Sequence, residues 1–232
     1  MKRLAFAFPV ALTRGVSMRS APLEASRPAT RRDLGELASK AAIVALFSLM
    51  AVRLWGDFLR TGHVTGLLLV ASEGLVVVLT VFRRSAGTVD RTMRARLLTV
   101  FSCFGPPLVK PAASVAPMAS EAFTVLVSAI GLLIVIVGKV SLGRSFGLTP
   151  ANRGVVSSGV YRLVRHPIYL GYLVTHVGFV VANPLNWNLA VLAAADIALL
   201  LRAILEEKTL AEDAAYRQYM QRVRYRLLPG VF

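Results

Sequence analysis

Acidic residues and cysteine are scarce in this sequence. Its 232 residues contain 12 Asp and Glu against 27 Lys and Arg, a formal net charge of +15. The single cysteine, Cys103, lies in an apolar run, so we expect no intrachain disulfide and no zinc site built from cysteines. The three histidines form no cluster with Asp and Glu at ligand spacing, so we expect no metal site. Neither the G-x-G-x-x-G nor the G-x-x-x-x-G-K nucleotide signature is present.

Long apolar runs make up much of the sequence. Hydrophobic residues make up 56% of the chain, and the basic residues alternate with these runs instead of forming one soluble face. Membrane topology therefore explains the positive charge better than a nucleic acid partner does. We expect the lipid bilayer to be a partner and nucleic acid not to be one.

Six apolar segments are each near the ~20 residues needed to cross a bilayer. They lie at about 36–58, 62–82, 97–117, 121–140, 167–182 and 187–205. The third segment is broken by Pro106 and Pro107. We predict an all-α, polytopic membrane helix bundle with about six transmembrane helices.

Three regions divide the chain. Residues 1–33 are predicted to form a poorly ordered tail or surface helix, because the apolar stretch is too short for a signal peptide and Pro9 interrupts it. Residues 34–140 are predicted to hold transmembrane helices 1–4. Residues 141–232 are predicted to form a C-terminal, cofactor-binding module that includes helices 5 and 6.

Basic residues concentrate in every second connection. The stretches 1–40, 83–96, 139–166 and 206–232 together hold 23 Lys and Arg, whereas the intervening loops hold Arg53, Arg60 and Lys110. Cytoplasmic loops of membrane proteins carry the excess of Lys and Arg. We therefore predict a multi-pass integral membrane protein with cytoplasmic N- and C-termini.

Two polar clusters should meet at one cytoplasmic depth. The sequence "GVYRLVRHPIYLG" opens the fifth apolar segment, and "LRAILEEKTL" closes the sixth. These segments form a hairpin around "NPLNW", which returns Arg202 and Glu206 to the level of His166. Arg202 and Glu206 are four residues apart and share a helix face, from which Glu207 points away.

The residues of these clusters suit a zwitterionic ligand that carries a positive centre. Pro167 fits the first position of a helix, whose N-terminal amides favour a carboxylate, and His166 is placed to donate a hydrogen bond there. Glu206 offers an acceptor for an ammonium group or a ribose hydroxyl. Tyr161 and Tyr169 offer aromatic faces for a cation or an adenine ring.

Four elements recur in order in a known enzyme family. "GVVSSGVYRLVRHPIYLGYL", "NP", "R…EEKTL" and "YRQYMQRVRYRLLPGVF" resemble the isoprenylcysteine carboxyl methyltransferases, integral membrane enzymes related to the phospholipid N-methyltransferases. The resemblance covers about residues 141–232. It implies S-adenosylmethionine (SAM) as the cofactor and a lipophilic methyl acceptor, such as the carboxylate of an isoprenylcysteine.

The same resemblance assigns residues to the site. It implies cofactor binding by Val155, Val156, Tyr161, His166, Pro167, Ile168, Tyr169 and Glu206. It places Arg202 toward the substrate, where the guanidinium would hold a carboxylate or phosphate during catalysis. Arg153 stands where the prenylcysteine enzymes have a His, and Phe146 replaces a polar cofactor contact.

Three other interpretations stay open at this point. A phospholipid N-methyltransferase would use the same cofactor on an amine acceptor. An NADPH-dependent sterol-type reductase has a similar C-terminal "RHP" pattern, although Glu206-Glu207 favours the methyltransferase. A non-catalytic membrane binding or transport protein would use Glu73 and Arg202, both within apolar segments, as pathway residues.

Overall fold

Seven helices account for most of the structure. The computed structural model describes residues 31–62, 64–112 and 115–230, so the predicted tail up to residue 30 lies outside the described residues. The helices are α1 (Arg31–Thr61), α2 (Val64–Phe82), α3 (Met93–Phe104), α4 (Glu121–Leu142), α5 (Pro167–Ala182), α6 (Asn186–Leu210) and α7 (Ala214–Arg222). The predicted helical class is confirmed, with α1 beginning three residues before the predicted boundary at 34.

Four of these helices are long and apolar enough to cross a membrane. They are α1, α2, α4 and α6, while α5 is apolar but has only 16 residues. The bounds of α5 coincide with the predicted segment 167–182, because Pro167 occupies its first turn and the Asn183-Pro184 turn follows its end. These apolar helices indicate an integral membrane protein.

The third predicted span is not a continuous helix. Of the predicted segment 97–117, only the part up to Phe104 is helical, and α3 has 12 residues. Gly105 ends the helix, and a short 3-10 turn follows at Pro106–Leu108. Proline lacks the amide hydrogen that an α-helix requires, so an apolar run of sufficient length does not continue as a helix here.

The chain beyond α3 nevertheless runs on along α6 toward its N-terminal end. Arg202 of α6 donates to the Ser102 hydroxyl, 3.2 Å away. Farther along, the amide of Asn188 and the backbone of Lys110 exchange two hydrogen bonds of 2.8 and 2.9 Å. The backbone of Met118 then reaches Val181, near the end of α5, at 2.9 Å. Residues 102–110 thus run along α6 from Arg202 to Asn188, and only the part up to Phe104 is α-helical.

The α5 helix is fixed by close packing on α4. A Cβ atom on Gly171 would lie 2.6 Å from the carbonyl oxygen of Gly131, and one on Gly138 would lie 2.7 Å from Ile168. Small residues allow the backbones of membrane helices to approach this closely. The glycines therefore set the position of α5, whose N-terminus carries the predicted site.

The basic connections meet at one end of the bundle. A two-residue strand β1 (Thr88–Val89) pairs antiparallel with β2 (Ala151–Asn152), which joins the 83–96 and 143–166 connections. The Asn152 amide also donates to Asp213, just before α7, at 3.0 Å. Three basic stretches predicted to share one side of the membrane therefore lie together.

Candidate active site

The C-terminal tail holds the segment that begins α5. The backbone amides of Arg165 and His166 donate to the carbonyls of Tyr225 and Arg226, at 3.0 and 2.8 Å. Pro167 is the first residue of the helix, as predicted, and His166 is its N-cap. The Arg-His-Pro sequence is thereby clamped between α5 and a stretch some sixty residues later.

Glu207 ties this segment to α6 through its carboxylate. Arg165 Nε lies 2.9 Å from one oxygen and Arg226 Nε lies 2.9 Å from the other. His166 Nε2 approaches the first oxygen at 3.1 Å. The imidazole also stacks on the ring of Tyr169 at 5.1 Å, so its position is fixed on two sides. This role of Glu207 was not predicted, because its partners come from distant segments of the sequence.

Tyr169 lies between the two predicted residues of α6. Its hydroxyl donates to Glu206 Oε2 at 2.5 Å, and its ring face lies 5.3 Å from the Arg202 guanidinium. No ion pair joins Arg202 directly to Glu206 in the described structure. Arg202 instead contacts Ser102 Oγ at 3.2 Å and Cys103 Sγ at 3.7 Å, and its buried Nε has no hydrogen-bond partner there.

One cavity of about 660 Å³ is lined by eight of the nine predicted site residues. Its lining includes Val155, Val156, Tyr161, His166, Ile168, Tyr169, Arg202 and Glu206. Pro167 is instead buried as the first residue of α5. The lining continues along α1 and α3, past Phe47 and Phe104, so a polar end opens into an apolar interior. The volume is in the range of small-molecule sites, roughly 300–1,000 Å³.

Tyrosines form the wall of the polar end. Tyr161, Tyr216 and Tyr219 line it together, and the Tyr219 hydroxyl donates to the Tyr161 carbonyl at 2.8 Å. Burial raises the pKa of Tyr219 to about 12 and, together with Glu206, raises the pKa of Tyr161 well above its usual range. All three rings therefore stay neutral at physiological pH and offer aromatic faces with phenolic donors.

Arg153 places a second guanidinium in the lining. The side chain is buried against Gly147, and its Nε has no hydrogen-bond partner among the described residues. Burial and the neighbouring Arg83 lower the pKa of Arg153 to about 10. Phe146, the other departure from the prenylcysteine enzymes, is buried beside it in the lining. This corner is suited to an anionic group.

Glu73 is paired inside the bundle. Lys139 Nζ lies 3.7 Å from its carboxylate and 2.8 Å from both the carbonyl and the hydroxyl of Ser72. The two charged side chains are 8% and 1% exposed, and the Lys139 ammonium also lies 5.6 Å from the Tyr172 ring. Lys139 therefore belongs to the helix interior, although its sequence position groups it with a basic loop.

Sequence comparison supports the expected family. Residues 115–218 match a family described as phospholipid methyltransferase. Protein-S-isoprenylcysteine O-methyltransferase A of Arabidopsis thaliana is 40% identical over 74 residues, covering 26% of this chain and 38% of that protein. The methyltransferase resemblance is confirmed. The chain thus matches well under half of the length of that relative.

The segment that matches this family, residues 115–218, contains all nine predicted site residues and Glu207. Several contacts of these residues come from outside it. Ser102 and Cys103 of α3 touch Arg202, and Arg226 of the C-terminal tail binds Glu207. The site is therefore completed by parts of the chain that the family match does not cover.

Proposed function

We propose that this protein is a membrane methyltransferase that transfers a methyl group from SAM to a lipophilic acceptor, in the first place the carboxylate of an isoprenylcysteine. The observation that carries the proposal is the shared cavity: residues from the 143–166 connection, α5 and α6 converge on it, within a segment matched by methyltransferases. Its polar end would take the cofactor and its apolar interior the acceptor.

The residues at the polar end fit SAM chemically. The adenine ring would lie against Tyr161 and the neighbouring tyrosines, next to Val155 and Val156. The Glu206 carboxylate would accept from an ammonium or ribose hydroxyl, while Tyr169 holds it in place. Bound SAM supplies a methyl group that its sulfonium has already activated.

Arg202 is proposed to hold the anionic head of the acceptor. It is 5% exposed, lies about one turn, ~6 Å, from Glu206 along α6, and leaves Nε unpaired among the described atoms. A guanidinium at this depth favours an anionic partner. Holding the acceptor there while the apolar lining excludes water lowers the barrier through orientation. A carboxylate acceptor needs no general base.

We further propose six membrane crossings with both termini and the C-terminal module in the cytoplasm. Residues 93–118 would make the third crossing, as α3 followed by a non-helical stretch covered by α6. Such a stretch is tolerated where protein covers it and satisfies its backbone, as Asn188 and Asn183 do here. Labelling of single cysteines placed at position 88 in a Cys103→Ala background tests the orientation, and labelling from the opposite side would contradict it.

Phospholipid N-methylation is the second candidate, because the matched family is described as phospholipid methyltransferase. Calorimetry of the purified protein with SAM and with NADPH tests the cofactor first, and binding of NADPH alone would contradict both candidates. Transfer from radiolabelled SAM to N-acetyl-S-farnesylcysteine or to phosphatidylethanolamine then separates the acceptors.

Variants of Arg202 test the assignment of the acceptor. Arg202→Ala is expected to raise the KM for N-acetyl-S-farnesylcysteine at least ~10-fold, as for a lost charge-assisted hydrogen bond of ~1.5–3 kcal/mol, with SAM affinity nearly unchanged. Arg53→Ala, at an exposed cavity-lining arginine of α1, is the control. Loss of SAM binding with a normal acceptor KM would overturn the assignment.

A further inference from the structure

A histidine and an aspartate meet inside the apolar part of the bundle. His176 of α5 and Asp196 of α6 are joined by a 2.6 Å hydrogen bond between Nδ1 and Oδ1. Their side chains are 10% and 23% exposed, and both residues lie well inside their helices rather than at an end. Ionisable residues at such depth are costly and usually mark a functional position.

His176 belongs to the lining of the cavity described above, and Arg202 is part of the same lining. Asp196 occupies Nδ1, and no residue in the described ranges forms a hydrogen bond with Nε2. The bond at one ring nitrogen sets the tautomer and the orientation of the other. Nε2 is therefore an oriented polar atom beside apolar side chains.

The position of His176 along α5 sets its distance from the proposed site of the acceptor head at Arg202. Tyr169, Tyr172 and His176 follow one face of α5, and the rings of Tyr172 and His176 lie 6.3 Å apart. Seven residues separate Tyr169, which contacts Arg202, from His176, and this corresponds to ~10 Å along the helix axis.

We propose that His176 Nε2, oriented by Asp196, accepts a hydrogen bond from a hydroxyl group within the apolar part of the acceptor. The inference rests on the proposed function and narrows its substrate class. Among lipophilic acceptors, an amphiphile with an anionic head at Arg202 and a hydroxyl group ~10 Å farther along its chain would bind more tightly than one with an unsubstituted tail. An isoprenylcysteine with an unsubstituted prenyl tail would still bind through its carboxylate, but a hydroxylated tail would also give Nε2 a partner in apolar surroundings.

Matched fatty acids test the proposal without requiring turnover. Binding of stearate, 10-hydroxystearate and 2-hydroxystearate is measured on the full-length protein at one detergent concentration. The hydroxyl of 10-hydroxystearate is ~10 Å from the carboxylate, about the rise along α5 between Tyr169 and His176, whereas that of 2-hydroxystearate is adjacent to the carboxylate. The ratio of the stearate Kd to each hydroxystearate Kd is compared between proteins, so that partitioning into detergent cancels.

The wild-type ratio for 10-hydroxystearate is expected to exceed the His176→Phe ratio by about 3- to 10-fold, the effect of one hydrogen bond. The ratio for 2-hydroxystearate should not change. Phe179→Leu, at a neighbouring cavity-lining residue of α5, should keep the wild-type ratios. Equal ratios in wild type and His176→Phe would overturn the proposal. An ordered water that satisfies Nε2 in place of the ligand would give this same result.

Two further measurements separate this inference from the proposed function. His176→Met is the second variant, and a failure of both variants to fold would make His176 structural and overturn the proposal. SAM binding is measured in parallel on the same preparations. A preference for the hydroxyl without SAM binding would refute the methyltransferase function and support the hydrogen bond to His176. SAM binding without the preference would support the function and refute the hydrogen bond.

Discussion

Removal of the Glu207 carboxylate should destabilise the protein more than removal of Glu206. Glu207 is 4% exposed and binds Arg165, His166 and Arg226. Glu207→Ala would leave the buried Arg165 guanidinium without its carboxylate, and breaking a buried pair in this way costs about 3–5 kcal/mol. The Arg226 side chain is 32% exposed, so the loss of its ion pair with Glu207 should lower stability by less than ~1 kcal/mol.

We therefore expect Glu207→Ala to lower stability by about 3 kcal/mol, the lower end of that range, because water can enter beside Arg226. For a chain of this size, ~1 kcal/mol corresponds to roughly 2–4 °C in Tm, so the decrease should be about 6–12 °C. Thermal unfolding followed by intrinsic fluorescence in detergent measures it. Glu212→Ala removes an exposed carboxylate nearby and should leave Tm within about 1–2 °C of wild type.

Glu206→Ala should behave in the opposite way. Its carboxylate accepts only the Tyr169 hydroxyl in the described structure, so little stability depends on it. SAM affinity should fall by about 1–3 kcal/mol when the carboxylate is lost. In Glu207→Ala, SAM affinity should also fall, because His166 loses the partner that holds Nε2. An unchanged Tm in Glu207→Ala, or a Glu206→Ala protein that loses stability but keeps SAM affinity, would refute the reasoning.

Two further predictions concern the packing of the bundle. Gly171→Ala would place Cβ 2.6 Å from the carbonyl oxygen of Gly131, so we expect a loss of about 1–3 kcal/mol and a lower Tm; Gly74→Ala, which meets no atom within 4 Å, should be neutral or slightly stabilising. Lys139→Met would leave Glu73 buried without its cation and should cost about 3 kcal/mol, whereas the double variant with Glu73→Gln should recover part of this loss, as a double-mutant cycle of Tm values can measure. Additive losses in that cycle would show that the pair is not coupled.

The sequence predicted the bounds of a helix well where the residues that begin and end it lie within the same segment. The bounds of α5 follow from Pro167 and from the Asn183-Pro184 turn, both visible in the sequence. The segment 97–117, predicted as a span broken by Pro106 and Pro107, does not continue as an α-helix beyond Phe104, since apolar composition alone does not determine backbone structure. Its amides find partners in Asn183 and Asn188, which the sequence does not connect to it.

Helical spacing within one segment predicted which residues of α6 face the cavity, but it did not predict the contacts that come from other segments. The spacing of Arg202 and Glu206 placed both on one helix face, and both line the cavity. The same spacing correctly turned Glu207 away from that face, but it could not reveal that Arg226 returns from the C-terminal tail to meet it. A helical period describes the direction of a side chain, whereas its partner depends on tertiary structure.

The partners of the buried cations separate structural charges from those available to a ligand. Lys139 has the Glu73 carboxylate and two acceptors on Ser72, so its charge is compensated within the protein. Arg202 is also buried, but its direct contacts among the described residues are a hydroxyl, a thiol and an aromatic ring, and the Glu206 carboxylate one turn away forms no ion pair with it. A buried charge without a counter-charge is unfavourable, so the free energy of binding an anion is largest at such a site. Lys139 and Glu73 therefore compensate each other within the protein, whereas Arg202 remains the proposed position for an anionic acceptor head.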